Sequence, residues 1–350
     1  MTTLLSPVRI GDLDLPNRIF MAPLTRARSG ASRVPNSLMV EYYRQRASAG
    51  LILTEATVVS PQGVGYADTP GIWSTEQIEG WQQVTRAVHG AGGHIFLQLW
   101  HVGRVSHPAF LDGALPVAPS AIAPAGHVSL VRPVTEYVVP RALEHREIAG
   151  VIGQFRHGAE NALAAGFDGV EIHGANGYLL DQFLQDRSNR RTDEYGGSIE
   201  NRARLLLEVT DAVSGVWGAS RVGMHLAPRG DAHDMGDSDR LATFGHVARE
   251  LGHRKIAFIA AREKPGPDRV GPQLKAWFGG PYIANEALDF QAANAMLSAG
   301  EADAVAFGRL FIANPDLPRR FATGAALNAP DPQTFYGGGS NGYTDYPALG

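Results

Sequence analysis

The chain alternates, from end to end, between short β-forming runs and longer stretches with helical periodicity, and this alternation limits its folds more than any other feature. The runs are Arg18–Ala22, Leu51–Thr54, His94–Leu99, Gly169–His173, Val222–Leu226, Ile256–Ile259, Pro281–Ala284 and Ala304–Phe307. Between them lie helix-compatible segments such as Asn36 to Ala49, Ile78 to Gly90, Ile148 to Ala165, Ser198 to Val213, Thr243 to Leu251 and Phe290 to Ala299. Each is long enough to be the crossover that joins two parallel strands. Gly92, Gly93, Gly166, Gly252 and Gly300 stand where those helices should stop, as C-terminal caps do. The pattern predicts an α/β fold, a (β/α)8 barrel forming a single domain over residues 1–350. A doubly wound open sheet is the rival, but it would place a Gly-rich fingerprint after its first strand, where this chain has Pro23-Leu24-Thr25.

Three stretches lie outside the alternation. Leu5 to Leu15 alternates apolar and polar residues around Gly11-Asp12, which predicts an N-terminal hairpin plugging the barrel bottom. Val102 to Glu144 is rich in Pro, Ala, Gly and His and too long for a simple connection, so a long excursion after strand 3 is expected, either a lid over the mouth or decoration. Gly337–Gly342 looks like a flexible tail, but Phe335, Tyr336, Tyr343 and Tyr346 flank it and predict that it packs against the body.

Composition removes several classes of function. The chain has no cysteine, which excludes disulfides, thiolate catalysis, iron–sulfur clusters and Cys-ligated zinc. With 44% hydrophobic residues and no apolar run approaching the ~20 residues that span a bilayer, it reads as a globular protein with a full core. The N-terminus lacks the pattern of a signal peptide, so a cytoplasmic location is expected. A net charge of −4 gives no electrostatic case for a nucleic-acid or membrane partner.

In parallel α/β barrels the chemistry gathers at the carboxyl ends of the strands. After the fourth run the sequence reads Gly169-Val-Glu-Ile-His-Gly-Ala-Asn-Gly-Tyr178, placing His173, Asn176 and Tyr178 at one strand end. The other strand ends show neither a carboxylate cluster nor paired histidines spaced as ligands, so no metal is expected. Lys264 is the one lysine near a strand end, which disfavours Schiff-base chemistry. Gly308-Arg309 follows the eighth run, where barrels commonly hold phosphate. Gln98 offers an amide able to donate to and accept from a heterocycle edge. Together these point to a phosphorylated cofactor with an amide-like ring.

Longer motifs add a family resemblance. Asn17-Arg-Ile-Phe-Met-Ala-Pro-Leu-Thr-Arg26, Tyr42-Tyr-Arg-Gln-Arg-Ala-Ser-Ala-Gly50, Leu97-Gln-Leu-Trp-His-Val-Gly-Arg104, His173-Gly-Ala-Asn-Gly-Tyr178, Arg191-Thr-Asp-Glu-Tyr-Gly-Gly-Ser-Ile-Glu-Asn-Arg202, Phe307-Gly-Arg-Leu-Phe-Ile-Ala-Asn-Pro-Asp316 and Gly342-Tyr-Thr-Asp-Tyr-Pro347 resemble the Old Yellow Enzyme family of flavin-dependent ene-reductases, in that family's order. The resemblance implies non-covalent FMN, reduction by NADPH or NADH, and hydride transfer to alkenes conjugated to carbonyl or nitro groups. It implies cofactor-binding roles for Pro23, Leu24, Thr25, Ala56, Gln98, His173, His225, Gly308 and Arg309. His173 and Asn176 would bind the substrate oxygen, Tyr178 would donate a proton, and Tyr66, Trp100 and Tyr343 would line the substrate space unless they are plain core.

The chain departs from that pattern at three strand ends. His225 stands where the family usually has an Arg that supports the reduced flavin, and Arg229 is the candidate to reach back in its place. Ala260 replaces a common His. Glu286 falls where a Gly-Gly pair is common near the phosphate, and it is tolerable if its side chain turns away. Had these changes weakened flavin binding, the alternative would be a redox-neutral isomerase or a ligand-binding barrel.

Overall fold

A computed structural model describes residues 2–129, 131 and 133–350. Its main sheet contains β1 (Ile19–Met21), β2 (Ile52–Leu53), β3 (Ile95–Trp100), β4 (Gly169–Gly174), β5 (Val222–Leu226), β6 (Phe258–Arg262), β7 (Tyr282–Asn285) and β8 (Ala304–Phe307). Each strand pairs in parallel with its neighbours, and β8 returns to β1 through Val305↔Ile19, closing the barrel. A ninth strand, Thr57–Val58, lies outside the ring and pairs with the end of β3. The helices α1 (Ser37–Gln45), α2 (Thr75–Gly90), α3 (His145–Ala164), α4 (Ile199–Trp217), α5 (Arg240–Arg254), α6 (Gly271–Phe278) and α7 (Phe290–Ser298) fill the crossovers. The expected (β/α)8 fold is therefore present. Among the described residues, no helix is long and apolar enough to cross a membrane.

Alternation along the strands separates an outer core from a barrel interior. Outward residues such as Leu97, Val170 and Ile259 pack under the helices. Inward residues form a floor of Phe20, Leu51, Leu53, Phe96, Phe258 and Ile283. Three of these are phenylalanines, and Gly223 makes the room for one: a Cβ there would lie 2.1 Å from the Phe258 ring.

The N-terminal hairpin is the expected plug. Val8–Ile10 pairs antiparallel with Leu13–Leu15, and Ile10, Leu13 and Leu15 complete the apolar floor. Its turn needs Gly11, at φ +56°, because a Cβ would come within 1.8 Å of the Ser220 carbonyl oxygen. Asp12 next to it pairs with Arg221 at 3.0 Å, tying the plug to the residue before β5.

The sixth strand lies later than its sequence suggests, at Phe258–Arg262 instead of Ile256–Ile259. Lys255 adopts the left-handed cap of α5 at φ +54°, so pairing with β5 starts only at Gly223↔Phe258. Ala260, Ala261 and Arg262 are weak β-formers by themselves. Hydrogen bonding between two flanking strands overrides that preference, and Arg262 thereby ends a strand instead of beginning a loop.

The excursion after β3 contains a short parallel pair, Val117–Ala118 with Arg141–Ala142; Leu130 and Arg132, within the span expected to form it, lie outside the described residues. It packs at the barrel mouth, where Val102, Val105 and Tyr137 join a cluster with Trp100, Tyr66 and Tyr178. The C-terminal tail is held by two buried guanidinium groups. Arg26 donates to the carbonyls of Thr334, Phe335 and Gly342, and Arg28 to those of Thr334, Phe335, Gly339 and Asn341.

Candidate active site

The strand ends surround a cavity of about 890 Å³, within the size range of cofactor and ligand sites. Pro23, Leu24 and Thr25 after β1, Ala56 after β2, Gln98 and Trp100 on β3, His173, Asn176 and Tyr178 on and after β4, His225 on β5, and Gly308 and Arg309 after β8 all line it. Twelve of the fourteen residues singled out by sequence thus meet on one wall, and Tyr66 joins them at one remove through Tyr178.

The deepest polar layer is built by strand register. Glu171 sits opposite Gln98 on one side, and His225 lies opposite His173 on the other. Glu171 is fully buried; its Oε2 accepts from Gln98 Nε2 at 2.6 Å, and its Oε1 lies 3.4 Å from His225 Nδ1. Because Glu171 takes one amide hydrogen of Gln98, the Gln98 carbonyl and the second N–H are left for a ligand. Glu171 escaped the sequence reading, although a carboxylate between Val170 and Ile172 in a buried strand was the available signal.

His173 packs between Trp100 (ring centroids 6.4 Å, near-parallel) and Tyr178 (5.0 Å, edge-on). Burial, followed by the nearby His225 and Arg262, pushes its imidazole well below the ordinary titration range, so it is a neutral donor at working pH. Its Nδ1 is buried without a protein partner, as is Trp100 Nε1. Buried polar atoms of this kind need a partner, and here a ligand would supply it.

Asn176 sits on a tight loop at φ +59°. Asp181 Oδ2 accepts from the Gly177 backbone N–H at 2.8 Å, and the backbone carbonyl of Asn176 accepts from His233 Nδ1 at 2.8 Å. Arg262 Nη1 donates to Asn176 Oδ1 at 3.1 Å. With that oxygen engaged, the amide hydrogens are the free end. Burial holds the Tyr178 phenol above its ordinary value, and its hydroxyl lies 3.0 Å from that of Tyr66.

Other expected placements need correction. Tyr343 does not join the cavity wall: it is fully buried, stacks on Tyr42 at 4.0 Å, and has the Arg28 guanidinium 4.3 Å from its ring centre. Phe335 and Tyr336 of the same tail line the cavity instead. Arg229 does not reach back to His225, because Asp268 at 2.6 Å and the Lys264 carbonyl at 2.8 Å hold it in a separate groove. Arg262 is a cation at the mouth, where Lys264 also lines the cavity. Its Nη2 pairs with Glu286 Oε1 at 3.1 Å, so the Glu286 carboxylate is turned toward a guanidinium and neutralised. Glu286 and Ala287 keep backbone angles of φ +94° and +55°, which glycine would adopt freely and which cost other residues about 1–3 kcal/mol each.

A model of the NADH:flavin oxidoreductase / NADH oxidase family matches residues 3–328. The chain belongs to this family. NADH:flavin oxidoreductase relatives at similar distances include a probable flavin mononucleotide-dependent alkene reductase of Leishmania infantum, 44% identical over 99% of this chain and 97% of the relative. Another is 12-oxophytodienoate reductase 1 of Oryza sativa subsp. japonica, 45% identical over 99% and 93%. Among solved structures, morphinone reductase in complex with tetrahydroNAD superposes with a TM-score of 0.97 at 50% identity, covering 100% of this chain and 98% of that one. The Old Yellow Enzyme homologue from Zymomonas mobilis gives 0.97 at 45% identity, over 99% and 100%.

Proposed function

We propose that this NADH:flavin oxidoreductase is an ene-reductase that uses FMN and a reduced nicotinamide cofactor, NADPH or NADH, to reduce alkenes activated by a carbonyl or nitro group. The observation that carries the reading is the convergence of His173, Asn176 and Tyr178 with Gln98, Gly308 and Arg309 in a single cavity. The residues present fit FMN. Gln98 and Thr25 offer polar groups for the ring edge, Pro23, Leu24 and Ala56 an apolar wall, and Gly308 and Arg309 a place for the phosphate. The unpartnered His173 Nδ1 and Trp100 Nε1 face the same need.

When bound, FMN supplies the hydride that adds to the substrate's β-carbon and is itself re-reduced by the nicotinamide. The protein's part is to handle charge and a proton. Addition at the β-carbon drives negative charge onto the carbonyl or nitro oxygen. His173, neutral by burial, and the Asn176 amide are fixed donors for that oxygen, and one such donor is worth about 3 kcal/mol in comparable oxyanion sites. Tyr178 keeps its proton at working pH and can deliver it to the α-carbon. As the phenolate forms, the Tyr66 hydroxyl can donate to it across the 3.0 Å contact.

The ground for a redox-neutral alternative was the set of departures at His225, Ala260 and Glu286, and the pairing of Glu286 with Arg262 removes one of them, the uncompensated charge at the phosphate end. The test is the visible spectrum of the purified protein. A flavin spectrum that bleaches on anaerobic addition of NADH or NADPH and returns on addition of a cyclic enone is expected. Protein that neither carries nor takes up FMN would overturn the reading.

A further inference from the structure

An asparagine amide presents two ends of nearly equal shape and opposite polarity. Turned one way Asn176 offers N–H groups to a substrate oxygen; turned the other, it offers a lone pair that repels the same oxygen. Something must select between them. A guanidinium carries donors only, so the 3.1 Å contact between Arg262 Nη1 and Asn176 Oδ1 is compatible with one orientation alone, the one that leaves the amide hydrogens facing the cavity. A cation on Oδ1 also draws electron density from the amide, which strengthens its N–H groups as donors.

Arg262 is itself held. Its second nitrogen, Nη2, binds Glu286 Oε1 at 3.1 Å, although the side chain is 45% exposed at the mouth. A planar fork can bridge two acceptors in fixed directions where the single nitrogen of lysine cannot. Glu286 follows β7, next to β8 and its Gly308-Arg309 end. The side chains of Glu286, Arg262 and Asn176 therefore form one chain of contacts from the cofactor's phosphate end to the substrate's oxygen.

We propose that Arg262, anchored by Glu286, is a positioning residue that fixes and polarises the Asn176 amide for the substrate oxygen. The proposal rests on the reading of Asn176 as a donor to that oxygen. It accounts for an acidic residue at a strand end near the phosphate, because the carboxylate anchors the guanidinium. It also explains why a side chain persists at position 286 despite a backbone conformation suited to glycine.

The test titrates FMN-loaded protein with 4-chlorophenol, whose phenolate imitates the charged oxygen of the reacting substrate and gives a long-wavelength band against oxidised flavin. Asn176→Ala should weaken the phenol by about tenfold or more, as should Arg262→Met, since each removes a charge-assisted contact. The double variant should bind no more weakly than Asn176→Ala alone. Glu286→Gly fits the backbone, so it should fold, and it should move two affinities in opposite directions: FMN tighter, measured by flavin fluorescence on apoprotein, and 4-chlorophenol several-fold weaker. Full additivity of Arg262→Met and Asn176→Ala, or unchanged phenol binding in Glu286→Gly, would overturn the proposal while leaving the ene-reductase reading intact. A phenol titration unaffected by Asn176→Ala would instead remove Asn176 from the oxygen site, and the proposal with it.

Discussion

The hydroxyl groups of Tyr66 and Tyr178 lie 3.0 Å apart, and the Trp100 ring packs against both. Burial raises both phenols above their ordinary range, so neither ionises before substrate arrives. The pair is then a proton donor with a built-in hydrogen-bond partner. Tyr178→Phe should slow reduction of a cyclic enone sharply while leaving flavin reduction by nicotinamide close to wild type, because only the first step puts a proton on carbon. Tyr66→Phe should have the same pattern at smaller amplitude, about tenfold. Stopped-flow traces that separate the two half-reactions check both, and equal damage to the two halves would mark the tyrosines as structural.

The two oxygen donors should not substitute for each other. Replacing His173 and Asn176 together by Ala removes two contacts worth about 3 kcal/mol each, so turnover of an enone should fall by several orders of magnitude. Nitroalkenes and enones should suffer alike, since both place charge on oxygen. Steady-state rates with one substrate of each kind decide the matter.

His225 stands beside Glu171, 3.4 Å from its carboxylate, and Arg229 is engaged elsewhere. An arginine carries its charge at every working pH, whereas an imidazole carries one only when protonated. His225→Arg should therefore raise the reduction potential of bound FMN. Arg229→Ala should leave the potential alone. Spectroelectrochemical titration would show otherwise if the His225→Arg and wild-type potentials coincide.

Two buried carboxyls should make the fold less stable as pH rises from mild acid to neutrality. Burial lifts Asp181 and Glu55 to about 7, above the values they have in an unfolded chain. A carboxyl raised in this way contributes fully below its unfolded pKa and loses that contribution as pH climbs through 7. The urea midpoint should fall between pH 5 and pH 8, by a change on the order of a few kcal/mol in unfolding free energy. Asp181→Asn should flatten part of that slope, and the remainder belongs to Glu55. A slope unchanged in Asp181→Asn would show that this carboxyl ionises without cost.

The barrel was legible because its signal is periodic: eight runs and their crossovers follow from alternation alone, and strand-end chemistry follows from the fold. Arg262 was not, because Ala260 and Ala261 before it have little strand preference, and only the partner strands show that β6 extends that far. Glu171 carried a signal of its own, a carboxylate inside an otherwise apolar strand, but its partners Gln98 and His225 lie on other strands and only the register brings them to it. The tail exchanged its aromatics. Tyr343 and Phe335 are alike in composition, and what sorts them is a set of long-range hydrogen bonds from Arg26 and Arg28, which no local pattern encodes.

The hairpin at the barrel's amino end has a consequence for traffic. With Ile10, Leu13 and Leu15 stoppering the floor, the barrel's amino end gives no passage to the cavity, and traffic must use the carboxyl end of the strands that line it. If the proposed function holds, the nicotinamide and the alkene enter from that same end and take turns in one chamber, each leaving before the other can work. Initial-rate plots at several fixed concentrations of one substrate should be parallel lines, and an excess of either should obstruct the other.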